Sequence, residues 1–313
     1  MDTIAGPAAW VAFLVLVLGM LALDLGVFHR RSHAVQFREA MIWSGVWITV
    51  AALFGVVVWL WQGPTKGLEF ATGYVLEKAL SVDNLFVMLV ILQRFRVPDE
   101  ARHKVLFWGV IGALVLRAVF IVLGAALVTQ FHWVLYGFGV LLIVTAIQMV
   151  RGGEEKDPTQ GRVVKWATKL LPLHHGPSEN RFFLKVNGRT MVTSLFLAVV
   201  AVETADLMFA VDSIPAVFAV TRDPFIVFTS NVLAILGLRS LFFALAGLLE
   251  RFHLLKYGLA GVLFFVGAKM LLVDVIHIPV AVSLAVVAVA LGVTMLVSWL
   301  RAPRTSMESN HGS

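Results

Sequence analysis

The sequence predicts an all-α fold, a polytopic transmembrane helix bundle of about nine spans that includes two inverted three-helix repeats. Three observations lead to this fold class: the composition, the length of the apolar stretches and an internal repeat. Of the 313 residues, 59% are hydrophobic and 14% are charged, and the mean hydropathy is +0.89. A water-soluble domain would have to expose much of this apolar surface, so we expect the chain to lie in a lipid bilayer.

Apolar stretches of transmembrane length divide the chain. A helix needs roughly 20 apolar residues to cross the hydrocarbon core, and short polar breaks separate about nine such stretches. The predicted spans cover residues 8–28, 40–61, 70–93, 105–129, 133–150, 191–220, 225–249, 257–273 and 278–300.

The basic residues indicate how these spans are oriented. Alternate loops are rich in arginine and lysine, as cytoplasmic loops are, whereas the intervening loops hold only Lys66 and Arg222. This asymmetry predicts a multi-pass protein of the bacterial inner membrane, with the N-terminus in the periplasm and the C-terminus in the cytoplasm. The net charge of +6 is thereby explained without nucleic-acid binding. The first span runs into His29, Arg30 and Arg31, so we expect it to be retained.

An internal repeat flanks a basic linker. The Phe-His-x3-Tyr-Gly motif at residues 131–137 recurs at residues 252–258, with a Leu-Arg pair upstream of each copy. Farther upstream, Glu77-x5-Asp83-Asn84 aligns with Asp206-x5-Asp212-Ser213. Each copy holds three spans, and because three is odd the second copy is inverted. We therefore divide the chain into two N-terminal helices (1–66), repeat 1 (67–150), a basic cytoplasmic linker (151–190), repeat 2 (191–273), and a C-terminal helix and tail (274–313). A short amphipathic helix is expected in the linker at residues 163–171.

Five carboxylates lie at membrane depth in the third and sixth spans. They are Glu77, Asp83, Glu203, Asp206 and Asp212. Each costs about 2.5–3.5 kcal/mol at the centre of a lipid-exposed helix, so they must face the protein interior or water. Lys78, Arg117 and Arg239 are expected to balance part of this charge, with Lys269 nearer a membrane edge. The negative charge that remains fits a bound divalent cation.

Regular helical geometry would scatter these carboxylates. In an unbroken sixth span, Asp212 would lie on the side opposite to Asp206. Pro215 lacks the N–H that a helix interior requires, so we predict a break in this span beside Asp212. The repeat implies a matching distortion near residues 81–84.

The oxygen-rich side chains indicate a hard divalent cation. The sequence has no cysteine, which excludes thiolate ligands, and its nine histidines lie at span ends and in loops. Carboxylate, amide and hydroxyl oxygens suit Mn²⁺, Mg²⁺ and Ca²⁺. Asn84 and Ser213, at equivalent repeat positions, are candidate ligands beside the five acids, with hydrogen bonding between helices as the alternative.

Two motifs resemble the TerC/Alx family of bacterial integral membrane proteins. They are Glu77-Lys-Ala-Leu-Ser-Val-Asp-Asn84 and Glu203-Thr-Ala-Asp-Leu-Met-Phe-Ala-Val-Asp-Ser-Ile-Pro-Ala216, followed by Ser230-Asn231 and Gly237-Leu-Arg-Ser-Leu241. The likeness extends from about Leu21 to Leu272. The family is linked by name to tellurium resistance and, with better support, to Mn²⁺ efflux. The resemblance implies that the five acids are its functional positions.

Together these observations predict a secondary transporter, not an enzyme, that exports Mn²⁺ as its substrate through a midplane carboxylate site. Proton exchange is a natural coupling, because carboxylates that release a metal ion can take up protons. No GxxxxGK[ST] run is present, so ATP coupling is not predicted.

Two other functions remain open. One is a membrane accessory factor that assists metallation or insertion of exported proteins. The other is an intramembrane aspartyl protease that uses Asp83 and Asp212, although these residues lack the neighbouring glycine or tyrosine typical of such enzymes.

Overall fold

Ten helices and one β-hairpin make up the described part of the chain. The computed structural model describes residues 3–28, 37–131, 133–151, 174, 181–186, 189–245, 254–276 and 278–300. The helices are α1 (Pro7–Phe28), α2 (Phe37–Gln62), α3 (Pro64–Arg94), α4 (Asp99–Gln130), α5 (Val134–Arg151), α6 (Ser194–Phe218), α7 (Pro224–Leu236), α8 (Leu238–Leu245), α9 (Leu255–Leu271) and α10 (Val280–Leu300), and the strands are β1 (Phe183–Val186) and β2 (Arg189–Val192).

The outer surface of the bundle is apolar. Leu18, Val119 and Val289 are each more than half exposed, whereas the charged residues Glu77 and Arg117 are buried. This distribution reverses that of a water-soluble protein, because lipid replaces water around the molecule.

Five of the described helices are long and apolar enough to cross a bilayer. They are α2, α4, α5, α6 and α10, while α1 and α7 contain shorter apolar segments. The helix α3 has 31 residues but carries Glu69, Glu77 and Lys78, so its composition alone does not mark it as a span. The predicted helical, multi-spanning architecture is confirmed at this level. The total of nine spans and the inverted repeat stay predictions.

Two helices differ from their predicted course. The helix α6 continues through Pro215 to Phe218, and α3 has no interruption near residues 81–84. The predicted break beside Asp212 and its counterpart in α3 are therefore wrong. A transmembrane helix tolerates proline when neighbouring groups can satisfy the freed carbonyl. The seventh predicted span, by contrast, divides into α7 and α8 at Gly237.

The end of the basic linker forms a β-hairpin, which the all-α prediction missed. The strands β1 and β2 are antiparallel neighbours. The sequence between them is Asn187-Gly188, the strongest short signal for a hairpin. Met191, predicted to open the sixth span, belongs to β2, and α6 begins at Ser194. The linker helix predicted at residues 163–171 lies outside the described residues.

The helices of the two predicted repeats pack in reciprocal pairs. The first helix of repeat 1, α3, packs on α7, and α4 packs on α6. The helices α5 and α9 pack along each other, and a Cβ added at Gly139 would lie only 2.9 Å from the carbonyl oxygen of Gly267. These contacts enclose the polar residues of α3, α4, α6 and α7 inside the bundle.

Candidate metal-binding site

Arg117 of α4 joins four helices through one guanidinium group. Its Nη1 donates to Oε1 of Glu77 on α3 and to Oδ1 of Asn231 on α7, the latter at 3.0 Å. The same nitrogen lies 3.3 Å from Oγ of Ser213 on α6. Its Nη2 donates to Oδ1 of Asp206 on α6 at 3.1 Å. Two of the five predicted acids, Glu77 of span three and Asp206 of span six, thus meet at a single arginine.

The Arg117 network lies near the middle of the bundle. At 1.5 Å per residue, Glu77 is about 20 Å along α3 from its first residue, Pro64. Arg117 is also about 20 Å from the end of its helix, at Gln130. The hydrocarbon core of a bilayer is about 30 Å thick, so neither group is within reach of a membrane surface. The carboxylates must be satisfied inside the protein.

The network does not neutralise its own charge. Glu77, Asp206 and Arg117 are all buried, with exposures of 0%, 2% and 1%. Two carboxylates face one guanidinium, so the hydrogen-bonded group itself keeps one negative charge, and Lys78 acts on Glu77 only through space. An incompletely balanced charge is strongly unfavourable in this medium. A further cation would therefore be stabilised beside these carboxylates.

Several buried oxygens of α3 and α6 have no hydrogen-bond partner within the described part of the chain. They are Oε2 of Glu77, Oδ1 of Asn84 and Oδ2 of Asp206. Each is an acceptor that no described residue satisfies, at a cost of about 1–3 kcal/mol or more for a charged group. Carboxylate and amide oxygens in this condition are the ligands that a hard cation requires.

Glu203 extends the acidic surface of α6 along α4. It lies one turn before Asp206, and its carboxylate rests against the backbone of Gly112, where an added Cβ would overlap it. Its Oε2 also lacks a hydrogen-bond partner among the described residues. Glu203 is half-buried and makes no described hydrogen bond to Arg117.

Asp212 faces a different neighbour. Its Oδ1 accepts a hydrogen bond of 3.0 Å from Oγ1 of Thr145 on α5. The next residue, Ser213, contacts Arg117. The structure therefore separates Asp212 from the Arg117 network, as the geometry of an unbroken α6 requires.

Lys78 donates its hydrogen bond to a helix end. Its Nζ donates to the carbonyl oxygen of Ala234 at 2.9 Å, in the last turn of α7, and lies 6.0 Å from the centre of the Tyr74 ring. The carbonyls at the C-terminus of a helix carry partial negative charge. None of the described ion pairs includes Lys78. Lys78 also interacts electrostatically with the neighbouring Glu77, so its predicted role in balancing the acidic charge stays a prediction.

Two predicted site residues cannot be placed in this geometry. The side chains of Asp83 and Arg239 lie outside the described part of the structure, and their roles stay predictions. No group of three or more acidic or histidine side chains with the geometry of a metal site occurs among the described residues. In this conformation Glu77 and Asp206 instead direct one oxygen each to Arg117.

Three residues of the site were not predicted. Asn231 was noted in a motif but not assigned a role, although an amide within an apolar helix is a signal for interhelical hydrogen bonding. Gly112 and Thr145 gave no such signal, because glycine and threonine are common in transmembrane helices. Only the packing of α4 and α5 on α6 reveals their contacts with Glu203 and Asp212.

The fold and the site define a polytopic membrane protein whose interior holds carboxylates joined by an arginine. Sequence comparison identifies this class further. Residues 62–306 match the Integral membrane protein TerC family, and the chain belongs to that family. It is therefore a multi-pass integral membrane protein.

Full-length relatives occur in distant bacteria. "Uncharacterized membrane protein STKORF319" of Myxococcus xanthus is 48% identical over 300 residues, which cover 96% of this chain and 94% of that protein. "Putative membrane-bound redox modulator Alx" of Escherichia coli strain K12 is 45% identical over 308 residues, covering 95% and 96%. An "Uncharacterized membrane protein" of Rickettsia bellii is 38% identical over 294 residues, covering 94% and 97%. No solved structure matches the chain.

Proposed function

We propose that this protein is a secondary transporter that exports a divalent metal ion, Mn²⁺ in the first place, from the cytoplasm across the bacterial inner membrane. The observation that carries the proposal is the set of unsatisfied carboxylate oxygens on Glu77 and Asp206. They are buried near the middle of the bundle, on α3 and α6, which begin the two predicted repeats. A structural ion pair would leave no such excess of acceptors.

The ligand chemistry favours a hard cation. The candidate ligands are carboxylate oxygens of Glu77, Asp206 and Glu203 and the amide oxygen of Asn84, with the carboxylates of Asp83 and Asp212 and the hydroxyl of Ser213 as further candidates. No cysteine is present in the sequence to favour a softer metal. Oxygen ligands suit Mn²⁺, Mg²⁺ and Ca²⁺. The preference for Mn²⁺ among them is part of the proposal.

The helix packing supports alternating access. The helix α3 packs on α7, and α4 packs on α6. In each predicted repeat, the first helix therefore packs against the second helix of the other repeat. An inverted repeat would allow these two interfaces to exchange roles between outward-open and inward-open conformations. The site lies between the same four helices, so this exchange would expose it to each side in turn.

The name of the Escherichia coli relative refers to redox modulation. The present sequence has no cysteine, so it offers no thiol for oxidation or disulfide exchange. We therefore propose that any influence of this protein on cellular redox state is indirect and follows from the ion that it moves.

Reconstitution into vesicles tests the proposal. In vesicles that hold the protein inside-out, export appears as uptake. Mn²⁺ uptake, reported by an enclosed Mn²⁺-sensitive dye, should exceed that of protein-free vesicles. Asp206→Asn and Glu77→Gln should each lower the flux at least about tenfold, because each removes a charged ligand. Glu100→Gln, which neutralises an exposed carboxylate at the start of α4, is the matched control and should transport normally.

The outcomes separate the candidate functions. Mn²⁺ binding without flux by the purified protein would favour the accessory factor that assists metallation of exported proteins. Absence of both binding and flux, in protein that remains monodisperse and helical, would overturn the assignment of a metal site.

A further inference from the structure

Arg117 makes the contacts that a bound cation would make. It is the only residue in the described hydrogen-bond set that contacts both Glu77 and Asp206, and it does so through separate nitrogens. Two buried carboxylates at close range repel each other strongly unless a positive charge lies between them. The arginine provides this charge in the conformation seen here.

The guanidinium group also has neutral acceptors. Its Nη1 contacts Oδ1 of Asn231 at 3.0 Å and Oγ of Ser213 at 3.3 Å. Its Nε has no hydrogen-bond partner within the described residues. Arg117 is therefore not held by the carboxylates alone, and the amide and hydroxyl would still bind it if the carboxylates turned away.

We infer that Arg117 and the transported divalent ion are alternative partners of Glu77 and Asp206, an inference that rests on the proposed function. When the ion arrives, it takes both carboxylates. The charge of the three side chains together with the ion then changes from one negative to one positive. The arginine cannot lose its proton, so the ion repels it toward Asn231 and Ser213. When the ion leaves, Arg117 returns and neutralises the carboxylates.

This exchange gives the arginine a role in the transport cycle. A closed, lipid-surrounded conformation separates the two open states. Two carboxylates without a cation would raise the free energy of this conformation. With Arg117 as their partner, the empty protein can pass through that conformation and return for another ion. The same arginine must be displaced at each binding event, so it weakens ion binding while it permits turnover.

Removal of the charge therefore separates binding from transport. Arg117→Gln should bind Mn²⁺ about tenfold more tightly than wild type, because no internal cation competes, while its net Mn²⁺ flux falls at least about tenfold. Arg117→Lys should bind with intermediate affinity, since an ammonium group cannot hold two carboxylates as a guanidinium does. Free Mn²⁺ measured by electron paramagnetic resonance reports the affinity in purified protein, and the vesicle assay reports the flux.

A purely structural role predicts the opposite direction. If Arg117 only holds the helices in place, both substitutions should weaken Mn²⁺ binding, and unchanged or weaker binding in folded Arg117→Gln and Arg117→Lys overturns the inference. Arg94→Gln, which removes an exposed cation at the end of α3, is the control and should bind Mn²⁺ as wild type does. Absence of Mn²⁺ binding in wild type and in every variant would instead overturn the proposed function itself.

Discussion

Charged side chains determine which residues of this bundle can form a site. Glu77 and Asp206 are tolerated in the membrane interior because Arg117 contacts both. Removal of one member of a buried ion pair typically costs about 3–5 kcal/mol, since the remaining charge is left without a partner. The activities of site variants must therefore be compared at equal amounts of folded protein and not at equal expression levels.

The sequence predicted the buried acids and named Arg117 among their balancing cations, but it did not predict which acids Arg117 contacts. The cost of inserting a charge into lipid made Glu77 and Asp206 stand out without any structure. Their shared contact with Arg117 depends on how α3, α4 and α6 are rotated against one another, which local sequence does not specify. Asn231 and Gly112 were missed for the same reason, because their role exists only across helix interfaces.

The close approach of Glu203 to Gly112 yields a prediction at the residue scale. Gly112→Ala places a methyl group in the volume of the Glu203 carboxylate and should lower the thermal unfolding midpoint. The double variant Gly112→Ala/Glu203→Ala should recover much of the loss, because the clash disappears. A double-mutant cycle in detergent measures this coupling.

The control for this cycle is Gly261→Ala in α9, where an added Cβ has no neighbour within 4 Å. This variant should unfold like wild type. An equal loss of stability for Gly112→Ala in the presence and absence of the Glu203 carboxylate would contradict the predicted contact.

At the scale of helices, proline and glycine had different consequences from those expected. Pro215 lies within continuous α6, whereas Gly237 separates α7 from α8. A proline removes one donor but leaves the rest of the helix intact, and neighbouring groups can compensate in the membrane. Just before Gly237, the carbonyl of Ala234 in the last turn of α7 accepts a hydrogen bond from the ammonium group of Lys78. The donor comes from another helix, so the break was not predictable from its own sequence.

The crossing of α5 and α9 yields a second prediction. Gly139→Ala inserts a Cβ 2.9 Å from the carbonyl oxygen of Gly267 and should destabilise the protein by about 1–3 kcal/mol through overpacking. Gly137→Ala in the same helix has no neighbour within 4 Å and should be neutral or slightly stabilising. Unfolding in mixed detergent micelles compares the two. Equal stability of these variants would show that the helices do not approach as described.

At the scale of the whole molecule, polar contacts join segments at one end of the bundle. Asp223 accepts a hydrogen bond from the backbone N–H of Ile4 at 2.8 Å, and Thr221 donates to Glu69 at 2.6 Å. Gln62 donates to the carbonyl of Ile4 at 3.4 Å. The N-terminus, the start of α3 and the loop after α6 therefore share one end. This end holds Arg222, from one of the loops that the basic-residue pattern assigned to the periplasm.

Cysteine labelling tests that assignment. The sequence has no cysteine, so a single introduced thiol is the only target. In intact cells without their outer membrane, an impermeant maleimide should label Arg222→Cys, which lies at an exposed position after α6. Arg94→Cys, exposed at the opposite end of α3, should react only after the membrane is permeabilised. Labelling of both from the same side would contradict the predicted topology.

The overall architecture was the most predictable level, because hydropathy and loop charge are averages over many residues. The helix bounds follow the predicted spans closely at most ends. They differ where Gly237 divides the seventh span, where β2 replaces the start of the sixth, and where α3 and α4 begin six residues before the predicted third and fourth spans. The hairpin was missed because the basic linker was interpreted as a surface segment, although the sequence Asn187-Gly188 is a strong hairpin signal.

The peptide bond between Glu77 and Lys78 has a mechanical consequence. Glu77 contacts Arg117, and Lys78 supplies the donor for the truncated end of α7, so a turn of α3 about its axis disturbs both contacts together. The helix α7 also carries Asn231, which accepts a hydrogen bond from Arg117. A displacement of the Glu77 backbone would thus reach α7 through the side chain of the adjacent Lys78. Under the proposed function, we therefore expect α3 and α7 to move together when an ion binds.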